Sequence, residues 1–119
     1  MAIDTTLLLR DGTSDLTADE STPTAIDFRG EDFKPMTYFV SVPEVSTSDT
    51  LDVTIQGSDN NTDFYTVLTF PQINAAGVFF LEGLVPYRYR RYTANVTGDS
   101  TDFGAVKIGV VPAGRYNNH

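Results

Sequence analysis

Few side chains in this sequence are placed to do chemistry. The single histidine, His119, is the last residue and follows two asparagines. A nucleophile–histidine–carboxylate relay needs an imidazole held rigidly at hydrogen-bond distance from its partners, which a fraying chain end does not provide. There is no cysteine, so thiolate nucleophiles, thiolate metal sites and disulfides are excluded. Neither phosphate-cradling glycine pattern, GxxxxGK(S/T) or GxGxxG, occurs. Paired acids can cleave glycosides, but the sixteen carboxylates fall mostly in turn-forming stretches, where solvated acids are expected. The residues therefore point to a protein that is not an enzyme and carries no cofactor and no metal.

The nearest approach to a metal motif is SDNNTD at 58–63. Asp59, Asn61 and Asp63 have the i, i+2, i+4 spacing of a calcium loop, since calcium takes several hard oxygens at that spacing. The pattern then fails, with Phe64 where a glycine is needed and Phe70 where a bidentate glutamate is needed. A hairpin loop whose Asp and Asn side chains cap their own backbone fits better, with calcium as the alternative.

The other conspicuous stretch is YRYRRY at 87–92. On a strand, Tyr87, Tyr89 and Arg91 share one face, and Arg88, Arg90 and Tyr92 the other. A single-strand nucleic-acid binder gathers aromatics and cations along one groove; here the cations are split between faces. The formal net charge is −8, which repels a phosphate backbone. The ribbon thus reads as a strand, with Tyr rings at the edge of the core and Arg stems covering apolar surface. Arg88 and Arg90 are then suited to pair with carboxylates of the acidic N-terminal half or of a neighbouring subunit. Residues 1–60 hold twelve of the sixteen carboxylates against Arg10, Arg29 and Lys34. That imbalance serves solubility, or a docking surface for a basic partner.

The elements that position these residues have a period of two. Leu51, Val53 and Ile55 alternate with Asp52, Thr54 and Gln56, the pattern of a half-buried strand. MTYFVSV (36–42) and AVKIGVV (105–111) alternate similarly, and FYTVLTF (64–70) is apolar on both faces, as suits a central strand. TTLLLR (5–10), TAIDF (24–28), VFFL (78–81) and YRYRRYTANVT (87–97) complete about eight strands. Turn clusters rich in Gly, Asp, Asn and Ser separate them. One helical turn is expected near 71–76, and no window of a dozen residues has helical periodicity.

The 119 residues suit one domain, 1–119, with an all-β fold: a single antiparallel β-sandwich, jelly-roll or immunoglobulin-like. The expected core is Ile26, Phe28, Val40, Val42, Leu51, Val53, Ile55, Leu68, Phe70, Val96, Val106, Ile108 and Val110. The polar stretch 11–23 is expected to be a surface loop or arm, and 112–119 a tail leaving the sheet. No secretory signal or membrane-spanning run is visible, and no partner among nucleic acids or membranes is expected.

LDVTIQGSDNNTDFYTVLTFPQINAAG (51–77) followed by YRYRRYTANVTGDSTDFGAVKIGVVPAG (87–114) resembles the small all-β virion proteins of tailed bacteriophages. The opening LLLRDGTSDLTADESTPTAIDFRG (7–30) extends the likeness over nearly the whole chain. These proteins are head decoration (cement) proteins and minor capsid components. The resemblance implies a jelly-roll or immunoglobulin-like sandwich on the outer surface of the phage head. It would clamp neighbouring subunits of the major capsid protein, as a dimer or trimer at a symmetry axis. It carries over no catalytic or ligand-binding residue. Candidate interface residues lie in the 29–35 loop (Arg29, Glu31, Asp32, Lys34), on the ribbon (Arg88, Arg90) and in the tail (Arg115, Tyr116). The rival readings are a carbohydrate-binding sandwich, which needs an exposed Tyr or Phe platform because there is no Trp, and a tail or connector component of the same virion.

Overall fold

Alternation of apolar and polar side chains produces nearly every ordered element. A computed structural model describes residues 7–28, 35–46, 48–98 and 102–112, except for the side chains of Leu7 and Pro112. Among the described residues eight strands follow one another: β1 (Leu7–Asp11), β2 (Ile26–Asp27), β3 (Met36–Val42), β4 (Thr50–Ser58), β5 (Tyr65–Thr69), β6 (Gly77–Gly83), β7 (Tyr89–Thr97) and β8 (Lys107–Pro112). In β3 and over most of β4 and β7, buried side chains alternate strictly with partly exposed ones, as a pleat with one face on the core requires.

The strands form two antiparallel sheets of four, ordered β1-β8-β3-β6 and β2-β7-β4-β5. Their pairing is nested: β1 lies against β8, β2 against β7, β3 against β6 and β4 against β5. The remaining ladders, β3 with β8 and β4 with β7, close each sheet's centre. One long ribbon, β1 to β4 against β8 to β5, is thus rolled over on itself. Of the two sandwich topologies the sequence left open, this is the strand order of the jelly roll.

The core lies between the sheets. Phe28, Val40, Val42, Leu51, Val53, Ile55, Phe70, Val106, Ile108 and Val110 are buried as the alternation requires, and Ile26, Leu68 and Val96 pack partly buried against them. Leu16, Met36, Tyr38, Ile73, Val85, Tyr92, Ala94 and Phe103 are buried too.

Two local expectations are corrected. FYTVLTF does not supply a central strand: among the described residues β5 is an edge paired with β4, and its residues are exposed or half-buried. A register shift at Ile55/Gln56 leaves Val67 as an extra residue, so apolar residues on both faces mark a bulge instead of two-sided burial. No helical turn forms at 71–76; Ile73 is buried and exchanges backbone hydrogen bonds of 2.8 and 2.9 Å with Leu51. The polar stretch after β1 is a surface segment laid along the body. Leu16 is sunk in the core and bonded to Gly104 and Phe103, while Glu20 exchanges two 2.8 Å backbone bonds with Ala94.

Candidate functional site

Arg10 shows how local irregularity builds a polar cluster. Strict alternation would place Arg10 on the same face as the exposed Leu8. A bulge between Leu8 and Arg10 adds one residue to β1, so Leu8 opposes Gly109 and Arg10 opposes buried Ile108. The guanidinium therefore points inward. It donates to Ser14 O at 3.0 Å, to Val106 O at 2.8 Å, and through Nε and Nη2 to the two carboxylate oxygens of Glu20 at 2.9 and 3.1 Å. The Tyr92 hydroxyl donates to Glu20 Oε1. Arg10 holds the Glu20 carboxyl below its ordinary pKa. Burial and then the Glu20 carboxylate push the Tyr92 phenol well above its own. The cluster lines an open cleft of about 560 Å³ between β1 and the 19–23 segment. Every nitrogen of Arg10 donates to a protein oxygen.

The Tyr–Arg ribbon is spent inside the chain. Arg88 Nε and Nη2 grip the two oxygens of Asp27 at 2.7 and 2.8 Å, joining β7 to the acidic N-terminal half. Arg90 has no exposed surface. Its Nε donates to Tyr87 O at 3.0 Å and its Nη1 to the Tyr38 hydroxyl at 3.0 Å, and its guanidinium lies 4.1 Å from the Phe28 ring centre. As a candidate interface residue Arg90 is corrected: it is a core residue, because the inward parity of β7 carries Arg90, Tyr92 and Ala94 together. Arg91, on the outward parity, donates to Gln56 Oε1 at 2.8 Å and covers Phe64 at 3.9 Å. Arg88 remains a surface residue. Arg29, Glu31, Asp32, Lys34, Arg115 and Tyr116 lie outside the described residues.

The 58–63 loop is organised by Asn60. Its Oδ1 accepts from Thr62 N and Asp63 N, both at 2.9 Å, and from the Ser58 hydroxyl, while its Nδ2 donates to Asp63 Oδ2. Asn60 thus caps the turn from between the spaced oxygens of Asp59, Asn61 and Asp63. Among the described residues no three acidic or histidine side chains are grouped to hold a metal ion.

The two sheets differ on their outer faces. That of β2-β7-β4-β5 is polar: Thr54 and Thr93 share a 2.5 Å hydroxyl bond, Gln56 meets Arg91, and Asp52 receives Gln72. That of β1-β8-β3-β6 is apolar. Register aligns Leu8, Gly109, Phe39 and Phe80 in one row across all four strands. Leu8, Phe39, Ser41, Val78, Phe80, Lys107 and Val111 surround a shallow depression of about 450 Å³. Phe80 is 64% exposed and Val78 53%. The apolar run VFFL reads as a short strand, but a run without alternation cannot show which of its residues stay uncovered. No protein-family model matches the chain, and a search of curated proteins finds no significant relative.

Proposed function

We propose that this chain is a non-enzymatic structural protein of a phage virion, a head decoration or cement protein. It binds the outside of the assembled capsid and stabilises contacts between major capsid subunits. The observation that carries the reading is the apolar outer face of the β1-β8-β3-β6 sheet, on a body whose buried cations are occupied by internal bonds. An exposed apolar patch is a surface made to be covered. The sequence resemblance supplies the setting in which it is covered. A decoration protein needs a rigid body and attachment surfaces, with no reactive centre. Binding only the assembled shell stabilises that shell by mass action, and many weak copies on a lattice add through avidity.

The test is co-sedimentation with expanded shells and, separately, with free capsid subunits. Binding to shells and not to free subunits is expected; equal binding to both overturns the lattice clamp. Binding to purified tails instead would move the protein to the tail or connector.

A second reading rests on Tyr65, which is 58% exposed and stacks on Tyr87 with ring centres 6.2 Å apart. Gly57 makes room for the pair, because a Cβ there would lie 2.5 Å from the Tyr87 ring. An exposed tyrosine platform suits a sugar ring, so the carbohydrate-binding alternative predicts glycan binding that Tyr65→Ala abolishes. Glycan binding unchanged in that variant would remove this reading.

A further inference from the structure

We propose that the free edge of β6 pairs with the same edge of a second copy, antiparallel about Phe80, so that two four-stranded sheets become one sheet of eight strands. This pairing leaves the outer face of the sheet open to the shell. It stands on the edge alone, whatever that face meets.

Among the described residues the sandwich has four edge strands, β1, β6, β2 and β5, and they are not alike. An edge presents a row of unpaired N–H and C=O groups to any other strand, and natural folds blunt it by shortness, bulges or charge. β2 has two residues. β1 and β5 have five each, and a register shift breaks both ladders, at Leu8/Arg10 and at Ile55/Gln56. β6 has seven residues and pairs with β3 without a break, from Gly83 opposite Met36 to Gly77 opposite Val42. It contains no proline and no lysine, and Glu82 is the only charged residue between Asp63 and Arg88. Phe79 and Leu81 pack against the core yet stay only partly buried, while Val78 and Phe80 are exposed. Three edges are blunted; the fourth is long, regular and apolar.

The sequence of β6, GVFFLEG, selects a second copy as the occupant, because it reads nearly alike from either end about Phe80. A two-fold axis beside Phe80, normal to the sheet, makes the self-matching contact that an isologous interface requires. Phe80 then meets Phe80 on the outer side, and Val78 meets Glu82. On the core side Phe79 meets Leu81, so both half-buried side chains gain cover from a cross-strand neighbour. Gly77 meets Gly83 at each end. Paired residues always differ by an even number of positions, so inward side chains meet inward ones and edge donors meet edge acceptors. Seven residues paired in this way exchange about six to eight backbone hydrogen bonds. Centring the pair on Phe79 or Leu81 instead shortens the ladder, and the second choice sets Phe80 against Glu82. A chain of net charge −8 repels its own copies over most of its surface. Here each copy brings one carboxylate, and the two Glu82 side chains stand roughly 14 Å apart, beyond the screening length of about 8 Å at physiological salt. The row of Leu8, Gly109, Phe39 and Phe80 continues into its copy, so two apolar faces become one surface across eight strands.

The test is sedimentation equilibrium of the full chain, with charge placed at Val78, an exposed position outside the core. Wild type is expected to dimerise reversibly. Val78→Lys sets an opposite charge against Glu82 at two places in the dimer, and Val78→Glu sets a like charge there. The lysine variant is expected to dimerise at least about tenfold more tightly than the glutamate variant. With Glu82→Lys added to each, that order should reverse. Leu8→Lys, on the same face at the opposite edge of the sheet, should leave dimerisation unchanged. Circular dichroism checks that each variant keeps its strand signal. A monomeric or trimeric wild type overturns the proposal. An order that fails to reverse overturns it too, because Val78 then does not face Glu82. Loss of the dimer in Leu8→Lys also overturns it, since faces and not edges would be meeting. Shell binding measured in parallel separates the two readings. A monomer that binds shells removes only the edge pairing, and a dimer that ignores shells removes only the virion role.

Discussion

Arg10 and Glu20 are joined by two hydrogen bonds, Nε to Oε1 at 2.9 Å and Nη2 to Oε2 at 3.1 Å, which tie β1 to the segment that follows it. The contact acts as a latch. Glu20 also exchanges backbone bonds with Ala94 of β7, so the Arg10 side chain of one sheet holds a residue docked on the other. Arg10 is 6% exposed while the Glu20 side chain is 32% exposed. Glu20→Ala leaves a buried cation with only carbonyl partners. A loss of about 2–3 kcal/mol in urea unfolding is expected, below that of a fully buried pair because water reaches Glu20. Arg10→Met combined with Glu20→Ala should cost less than the sum of the two single changes, since no orphaned charge remains.

The same cluster sets the pH dependence of stability. The Glu20 carboxyl has a folded pKa below its unfolded value, chiefly through the Arg10 hydrogen bonds. Its stabilisation is complete above the unfolded carboxylate pKa of about 4.3 and is lost as pH falls through the lower folded value. Tyr92 has the opposite sign: burial, then Glu20, raises its pKa. Its contribution is intact below the unfolded phenol pKa of about 10 and declines as pH rises beyond it. Thermal unfolding across pH should therefore show an acid arm that Glu20→Gln flattens and an alkaline arm that Tyr92→Phe flattens. An alkaline arm unchanged in Tyr92→Phe would assign that loss to other phenols, with Tyr38, also raised by burial, the first to examine.

Gly98 marks where β7 leaves the sheet. Its φ is +144°, and a Cβ built there would lie 1.9 Å from Asp49 Oδ1. Asp49 is 2% exposed, and its Cα too would lie only 3.1 Å from that Cβ. Gly98→Ala combines a backbone conformation that side chains avoid with a collision against a buried carboxylate. It should cost about 2 kcal/mol or more in denaturant unfolding. Adding Asp49→Ser should recover the part due to the collision and leave the part due to φ.

How far the sequence shows all this depends on the kind of residue. Leu51, Val53 and Ile55 announce their strand, because period two is a local property and burial of one face is the only way to use it. Arg10 does not announce its inward turn, because a one-residue bulge reverses the parity and leaves no compositional trace. Leu16 is hidden in a polar stretch and is recruited to the core by Gly104 and Phe103, some ninety residues away. The row of Leu8, Gly109, Phe39 and Phe80 depends on the register of four strands, which no single segment encodes. Period two does show Arg88 and Arg90 sharing a parity, but parity does not distinguish a residue at the start of a strand from one enclosed by the core.

Their inequivalence is the last prediction. Arg88 lies at the ribbon's entry, where its side chain is 48% exposed and its bidentate pair with Asp27 competes with water. Exposed pairs of this kind contribute little to stability. Arg88→Ala should leave the unfolding midpoint within experimental error, so any effect it has on assembly reports on a surface contact. Arg90 sits two residues further in, fully enclosed, with its guanidinium against Phe28 and bonded to the Tyr38 hydroxyl. Arg90→Ala removes the largest fully buried side chain and strips the Tyr38 hydroxyl of its donor. A cost of about 3–5 kcal/mol is expected from cavity and lost hydrogen bonds together. Arg90→Met, which restores most of the volume without the donors, should recover part of that loss. Equal midpoints for Arg88→Ala and Arg90→Ala would contradict the inward placement of Arg90, and with it the parity of the whole β7 strand.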